Sequence, residues 1–259
     1  MSSVYRVDNE TAFTKDCAAG PWDPGLQHGG APASLISWAA ERMPTREPMQ
    51  VVRMTIDLLR PVPIAPLRIQ TEVLREGRKI QLCAVTLWHE QVAVVRATVL
   101  KVRAAEVQLP DHVREEKVLL PGPDAGHEPE GLLGDTKNAF IKGLDLRVVK
   151  GAFRSPGPAA IWFRAHRTIV EGEPISALMR AAMTGDFCNG TSAVLDFQEW
   201  TFINADVTIS LARMPVGEWI LLDAETWLGA TGAGIAFAKL GDERGYFGRA
   251  IQSLVIEPR

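Results

Sequence analysis

The chain has 259 residues, 46% of them hydrophobic and 23% charged, an ordinary balance for a globular protein. A net charge of −3, scattered basic residues and only 7% aromatics argue against a broad nucleic-acid-binding face. Three widely spaced cysteines (Cys17, Cys83, Cys188) form no CxxC pair, so a reducing compartment without a disulfide framework is expected. The opening MSSVYRVDNE lacks a basic-then-apolar signal, and no apolar run approaches the roughly 18 residues of a membrane span. The expectation is a soluble cytoplasmic protein.

In chain order, the first informative stretch is LQHGGAPASLISWAA (26–40). Pro32 suits the first turn of a helix, where its missing N–H costs nothing. Gly29 and Gly30 leave a bare rim of backbone N–H groups ahead of that helix, open to close approach. Such a rim is either a tight turn or a seat for partial negative charge. The helix predicted over 32–43 is apolar nearly all round, which suits a buried helix. Four strand patterns follow, VVRMTIDLL, LRIQTEVLRE, KIQLCAVTLWH and VAVVRATVLKV, with turns at Gly77 and at Glu90-Gln91.

The second half repeats this order. Gly30, Pro32, Ser34, Ile36 and the Ala39-Ala40 pair return 142 residues later as Gly172, Pro174, Ser176, Leu178 and Ala181-Ala182. Thr55, Glu72 and Arg96-Ala97 return 153 residues later as Thr208, Glu225 and Arg249-Ala250. Strands are predicted in TFINADVTISLA, EWILLDAETWL, GAGIAFAKL and GYFGRAIQSLVIE. The Pro/Gly/acidic stretch PGPDAGHEPEGLLGD (121–135) lies between the copies. The predicted organisation is an N-terminal unit over 1–104, a linker over 105–142 and a C-terminal unit over 143–259. Each unit is of α+β class, a long buried helix wrapped by a curved antiparallel sheet.

HGG before a buried helix, LLRP (58–61), EVLREGRK (72–79), GDF (185–187), INAD (203–206) and RAIQS (249–253) together resemble the acyl-CoA thioesterase II-type family of TesB-like double hotdog proteins. The resemblance covers nearly the whole chain. It implies a tandem hotdog fold and hydrolysis of acyl-CoA thioesters by an activated water, with no covalent enzyme intermediate and no cofactor. It also implies that an acid, a hydroxyl or amide residue and a glutamine hold the water; these fall on Asp186, Asn204 and Gln252. Many members carry threonine where this chain has Asn204, a change that bears on substrate range. Asp186, the one member of the trio able to ionise, is the candidate base. The glycine rim at His28-Gly29-Gly30 then gains a purpose, since N–H groups at a helix start can receive a thioester oxygen as charge builds there. In this reading the backbone, rather than the His28 ring, carries that role. Arg75, Arg78 and Lys79 are weaker candidates for the CoA phosphates, because solvated cations on a hairpin are ordinary.

Several features count against single residues. Asn204 alternates in step with Phe202, Asp206 and Thr208 against Ile203, Ala205 and Val207, which by itself puts it toward solvent. Gln252 shares a strand face with Ala250, Leu254 and Ile256, and an amide on an apolar face needs partners. His89-Glu90 opens like HExxH without the second histidine, the five histidines lack ligand spacing, and no GxSxG elbow occurs. No metal is therefore expected. Two rival functions stay open: an acyl-thioester-binding protein without turnover, and an enoyl- or hydroxyacyl-thioester hydratase or dehydratase. Thr184-Gly185-Asp186-Phe187-Cys188-Asn189 resembles the hydratase signature SGDxNPxH only faintly, since no histidine follows. The partner expected is a small acyl-CoA, with no nucleic acid and no membrane, and exposed sheet edges suggest a homo-oligomer.

Overall fold

A computed structural model describes residues 3–130, 139–153 and 155–259. Residues 131–138, which include the end of the predicted linker stretch, lie outside the described residues, as do Met1 and Ser2 of the N-terminal segment. The first half contributes β1 (Tyr5–Asp8), β2 (Thr11–Thr14), α1 (Gly30–Arg42), β3 (Met49–Leu58), β4 (Leu67–Glu76), β5 (Ile80–His89) and β6 (Val92–Arg103). The second contributes β7 (Leu144–Lys150), β8 (Ala159–Ala165), α2 (Ala177–Gly185), α3 (Cys188–Ser192), β9 (Trp200–Asn204), β10 (Asp206–Leu211), β11 (Trp219–Leu228), β12 (Ala233–Asp242) and β13 (Gly245–Pro258).

All these strands belong to one sheet in the order β1-β2-β4-β5-β6-β3-β10-β13-β12-β11-β8-β7, with β9 added beside β13. Read outward from the β3–β10 seam, the two halves have matching orders. The register carries the repeat further. Glu72, Ala84, Thr98 and Thr55 form one rung across β4, β5, β6 and β3. Glu225, Phe237, Ile251 and Thr208 form the corresponding rung across β11, β12, β13 and β10. Each member of the second rung lies 153 residues after its counterpart. Thr55 and Thr208 are themselves partners across the seam, their hydroxyls 3.3 Å apart. A local two-fold axis therefore runs between repeat-equivalent threonines, and the 153-residue spacing is a register constraint rather than a coincidence of composition.

The core lies between the sheet and the helices. α1 packs against β4, β5 and β6 and against α2, while α2 packs against β8 and β10–β13. α1 is buried from Gly30 to Ser37, and its Ser34 and Ser37 hydroxyls donate to the carbonyls of Gly30 and Ala33. Those bonds let two polar residues sit inside an apolar core. The second copy departs from the predicted single helix. Its segment 172–176 is not helical, Ser176 is the N-cap accepting from Met179 N–H at 3.1 Å, and the helix ends at Gly185. α3 then restarts at Cys188. This break falls where the two repeat spacings differ, so α3 belongs to chain that the first copy lacks. β1, β2, β7 and β8 were not among the predicted strands, and the predicted strand TFINADVTISLA divides into β9 and β10.

The predicted linker does more than span the units. Glu116 O accepts from Tyr246 N–H at 2.7 Å, and its carboxylate pairs with Lys239 at 2.6 Å, strapping the segment to the β12–β13 hairpin. Its end re-enters the core through Phe140, which is 2% exposed.

Candidate active site

A cavity of about 410 Å³ opens at the end of the β3–β10 seam, between residues 20–29, residues 58–62, the start of α3 and β9. Its walls include Trp22, Leu26, Val62, Phe187 and Phe197, and its polar lining includes His28, Gly29, Asp186 and Asn204. Asp186 is the C-cap of α2 and is 7% exposed. A carboxylate at a helix C-terminus meets the negative end of that helix; here the N-terminus of α1, with its positive end, faces it from the other half.

The double glycine is explained by that encounter. Neither Gly29 nor Gly30 has positive φ, so space rather than backbone freedom demands them. A Cβ at Gly29 would lie 2.6 and 2.8 Å from the two oxygens of Asp186, and one at Gly30 would lie 3.0 Å from Phe140 and 3.2 Å from Met183 O. The two N–H groups then part company. Gly30 N–H donates to His28 Nδ1 at 3.0 Å, whereas Gly29 N–H has no acceptor among the described residues. The predicted rim of two donors is thus reduced to one, Gly29.

His28 is more engaged than a turn histidine. Its ring packs at 4.3 Å on Phe187 and 5.0 Å on Phe140, and Nδ1 lies 3.1 Å from Asp186 Oδ2. Nδ1 can accept from Gly30 N–H or donate to Asp186, but one nitrogen cannot do both at once. The neutral ring protonated on Nε2 caps α1; a ring carrying its proton on Nδ1 instead pairs with the carboxylate.

Asp186, Asn204 and Gln252 converge. Asn204 Nδ2 donates to Asp186 Oδ1 at 3.0 Å. Gln252 Nε2 donates to the Asp186 backbone oxygen at 2.9 Å and reaches Oδ1 at 3.4 Å, and Gln252 Oε1 accepts from Asn189 N–H at 3.0 Å. Gln252 is fully buried and does not line the cavity, so it braces Asp186 from behind instead of reaching a water. Asn204 does line the cavity, against the alternation in its sequence, because a bulge lies between β9 and β10. Asn204 pairs with Leu254, yet Thr208 pairs with Ile251, one residue out of step. Phe202 and Asn204 therefore face inward before the bulge, and Val207 and Ile209 after it; a one-residue slip reverses the faces of a strand. Asp206 stabilises the bulge by accepting Ser253 N–H at 2.6 Å.

Arg75, Arg78 and Lys79 are not brought to this cavity. Their hairpin adjoins Arg103, beside the Met49 end of β3, whereas the cavity lies at the Leu58 end. Asn189 and Phe140 are contributors that the sequence did not single out for a role. Asn189 links Gln252 to β9, donating through Nδ2 to Phe202 O at 2.8 Å. Its signals in the sequence are a place in the extra chain after α2 and in the stretch that faintly resembles the hydratase signature. Cys188 is fully buried, and burial, with Asp186 nearby, pushes its thiol well above the ordinary range; it is a packed thiol, as expected. Among the described residues no group of three or more His, Cys, Asp or Glu side chains could hold a metal, and no helix is long and apolar enough to cross a membrane.

Two kinds of likeness to known proteins bear on this geometry. The solved structures it resembles include a hot dog-fold protein of Alicyclobacillus acidocaldarius (TM-score 0.76, 15% identity, 98% of this chain and 95% of that one). They also include the tesB protein of Mycobacterium avium subs paratuberculosis (0.70, 16%, 98% and 95%) and acyl-CoA thioesterase II TesB2 of Mycobacterium marinum (0.68, 15%, 89% and 91%). At such identities these likenesses establish the hot dog fold, mostly antiparallel sheet with few helices. No curated protein matches the chain. The family descriptions Acyl-CoA thioesterase N-terminal domain and Acyl-CoA thioesterase C-terminal domain match residues 18–102 and 114–256. Matched over both halves in order, the chain belongs to the acyl-CoA thioesterase family and is a thioesterase.

Proposed function

We propose that the protein hydrolyses acyl-CoA thioesters at one composite site per chain, each half being one hotdog unit. The observation carrying this reading is the Asp186 carboxylate, braced by two amides of the second half and set against Gly29 of the first. In the reaction a water donates one hydrogen bond to Asp186 and another to the free Asn204 carbonyl oxygen, leaving a lone pair for the thioester carbon. Asp186 takes the proton as the C–O bond forms. The carbonyl oxygen, gaining charge, meets Gly29 N–H at the positive end of α1; removal of one such donor in other enzymes costs about 2.7–4 kcal/mol. Collapse breaks the C–S bond, and the proton on Asp186 passes to the departing thiolate, yielding free acid and CoA. A thiol with pKa near that of cysteine, about 8.5, makes a modest demand on that last transfer.

A second reading has one observation in its favour. Hydration of an enoyl thioester needs a histidine beside the acid, and His28 lies 3.1 Å from Asp186 although it is distant in sequence. One experiment separates the readings: purified protein is mixed with a panel of acyl-CoAs, crotonyl-CoA included, and free thiol is followed colorimetrically. Thiol release with no acyl adduct in the intact protein mass is expected. Hydrated crotonyl-CoA without thiol release would favour the second reading, and binding without turnover would refute both.

A further inference from the structure

Among the side chains lining the cavity, the acidic ones are Asp23 and Asp186, and Arg60 carries the one guanidinium. Arg60 is exposed and has no carboxylate partner among the described residues. A second guanidinium stands nearby: Arg259 lies 5.4 Å over the ring of Trp22, a wall residue, and its backbone N–H is tied to Glu199 O at 2.9 Å. Its side chain likewise lacks an acidic partner among the described residues. Of the two carboxylates lining the cavity, Asp23 already accepts Gly25 N–H at 2.7 Å. Among the described residues, the mouth therefore carries two guanidiniums without an acidic side-chain partner, leading into a largely apolar cavity with the Asp186 carboxylate inside.

We propose that Arg60, assisted by Arg259, binds phosphate of the phosphopantetheine-bearing thioester as it enters the cavity. The proposal rests on the reading of the cavity as the thioesterase site. With the carbonyl held at Asp186, the pantetheine arm must leave through the mouth, and its anionic end emerges among these guanidiniums. Planar guanidinium is suited to phosphate, which it can grip through two parallel N–H bonds. The same chemistry is offered by free CoA and by phosphopantetheine on a carrier protein. The hairpin cations Arg75, Arg78 and Lys79, at the other end of the strands, take no part.

The test is steady-state thiol release by the full chain and its R60Q, R259Q and double variants, with R78Q as the control for net charge. Three thioesters of one acyl group are compared: acyl-CoA, S-acyl-phosphopantetheine and phosphate-free S-acyl-N-acetylcysteamine. For R60Q the KM for acyl-CoA should rise about fivefold at low salt, as suits an exposed ion pair, with kcat little changed. The rise should shrink in high salt and be absent with the phosphate-free thioester. A rise shared by S-acyl-phosphopantetheine assigns the contact to the phosphate common to both sources; a rise confined to acyl-CoA assigns it to the nucleotide phosphates. Equal KM changes with and without phosphate, or no change for acyl-CoA in the double variant, would overturn the proposal. If no thioester is hydrolysed by the parent chain, it is the reading of the cavity that fails.

Discussion

Asp186 illustrates how much of this site depends on the contacts around one carboxylate. Its Oδ1 is held by Asn204 and Gln252, and its approach to α1 depends on the missing side chain at Gly29. Gly29→Ala should lower kcat at least tenfold, by roughly the scale on which displaced catalytic groups act, and should lower the melting temperature, because the added methyl cannot coexist with the carboxylate. Unchanged values of both would show that the contact is loose. Gln252→Ala strands the buried Asn189 N–H and loosens Asp186. Urea unfolding should show a loss of about 1–3 kcal/mol, accompanied by a fall in kcat with little change in KM. At this scale the resemblance points to three residues that the structure brings together, but not to the contacts each one makes. The resemblance makes Gln252 a water ligand, since nothing in RAIQS shows that both ends of its amide are occupied. The stacking of Phe140 on His28 joins residues more than a hundred positions apart, and no local pattern encodes it.

Among the elements, the β9–β10 bulge matters most to the site. Alternation made Asn204 solvent-facing; the bulge turns it inward, and Asp206 holds the bulge by taking the place of a ladder carbonyl. Asp206→Ala should leave the sheet folded, by circular dichroism, while lowering kcat about tenfold as Asn204 loses its orientation. A kcat equal to the parent's would mean that Asn204 is held by other contacts. The long strands were legible because their β-branched and apolar patterns are strong. YRVD and TAFT escape the pattern since four residues are too few to establish a period, and the second helix reads as continuous because its break follows from packing. A Cβ at Gly185 would lie 3.0 Å from Ile209 Cδ1, showing how tightly the end of α2 approaches β10.

Across the whole molecule, the repeat predicted the architecture best, since equal spacings in sequence reappear as equal rungs in the sheet. The seam at Thr55 and Thr208 joins the halves into one sheet, which lets a glycine of one half meet an acid of the other. The buried titratable groups make this assembly sensitive to alkali. Burial pushes the Cys188 thiol and the Tyr5 phenol well above their ordinary ranges, and burial together with Asp223 has the Tyr246 phenol pushed up to about 12. In the unfolded chain these groups ionise near pH 8.5–10, so at alkaline pH the unfolded chain binds fewer protons than the folded one. Their contribution to stability is complete at neutral pH and is lost as pH rises through the folded values. The urea midpoint should accordingly be lower at pH 10 than at pH 7.5; equal midpoints would argue against such burial.

The most direct measurement is the rate of thiol release by Asp186→Asn at saturating acyl-CoA, beside the parent enzyme. The asparagine keeps the shape and the hydrogen-bond reach of the carboxylate but cannot accept a proton from water. A fall of about a hundredfold or more in kcat, with KM and melting temperature close to the parent's, is predicted. A variant retaining a third or more of the parent's kcat would contradict the assignment of Asp186 as the base.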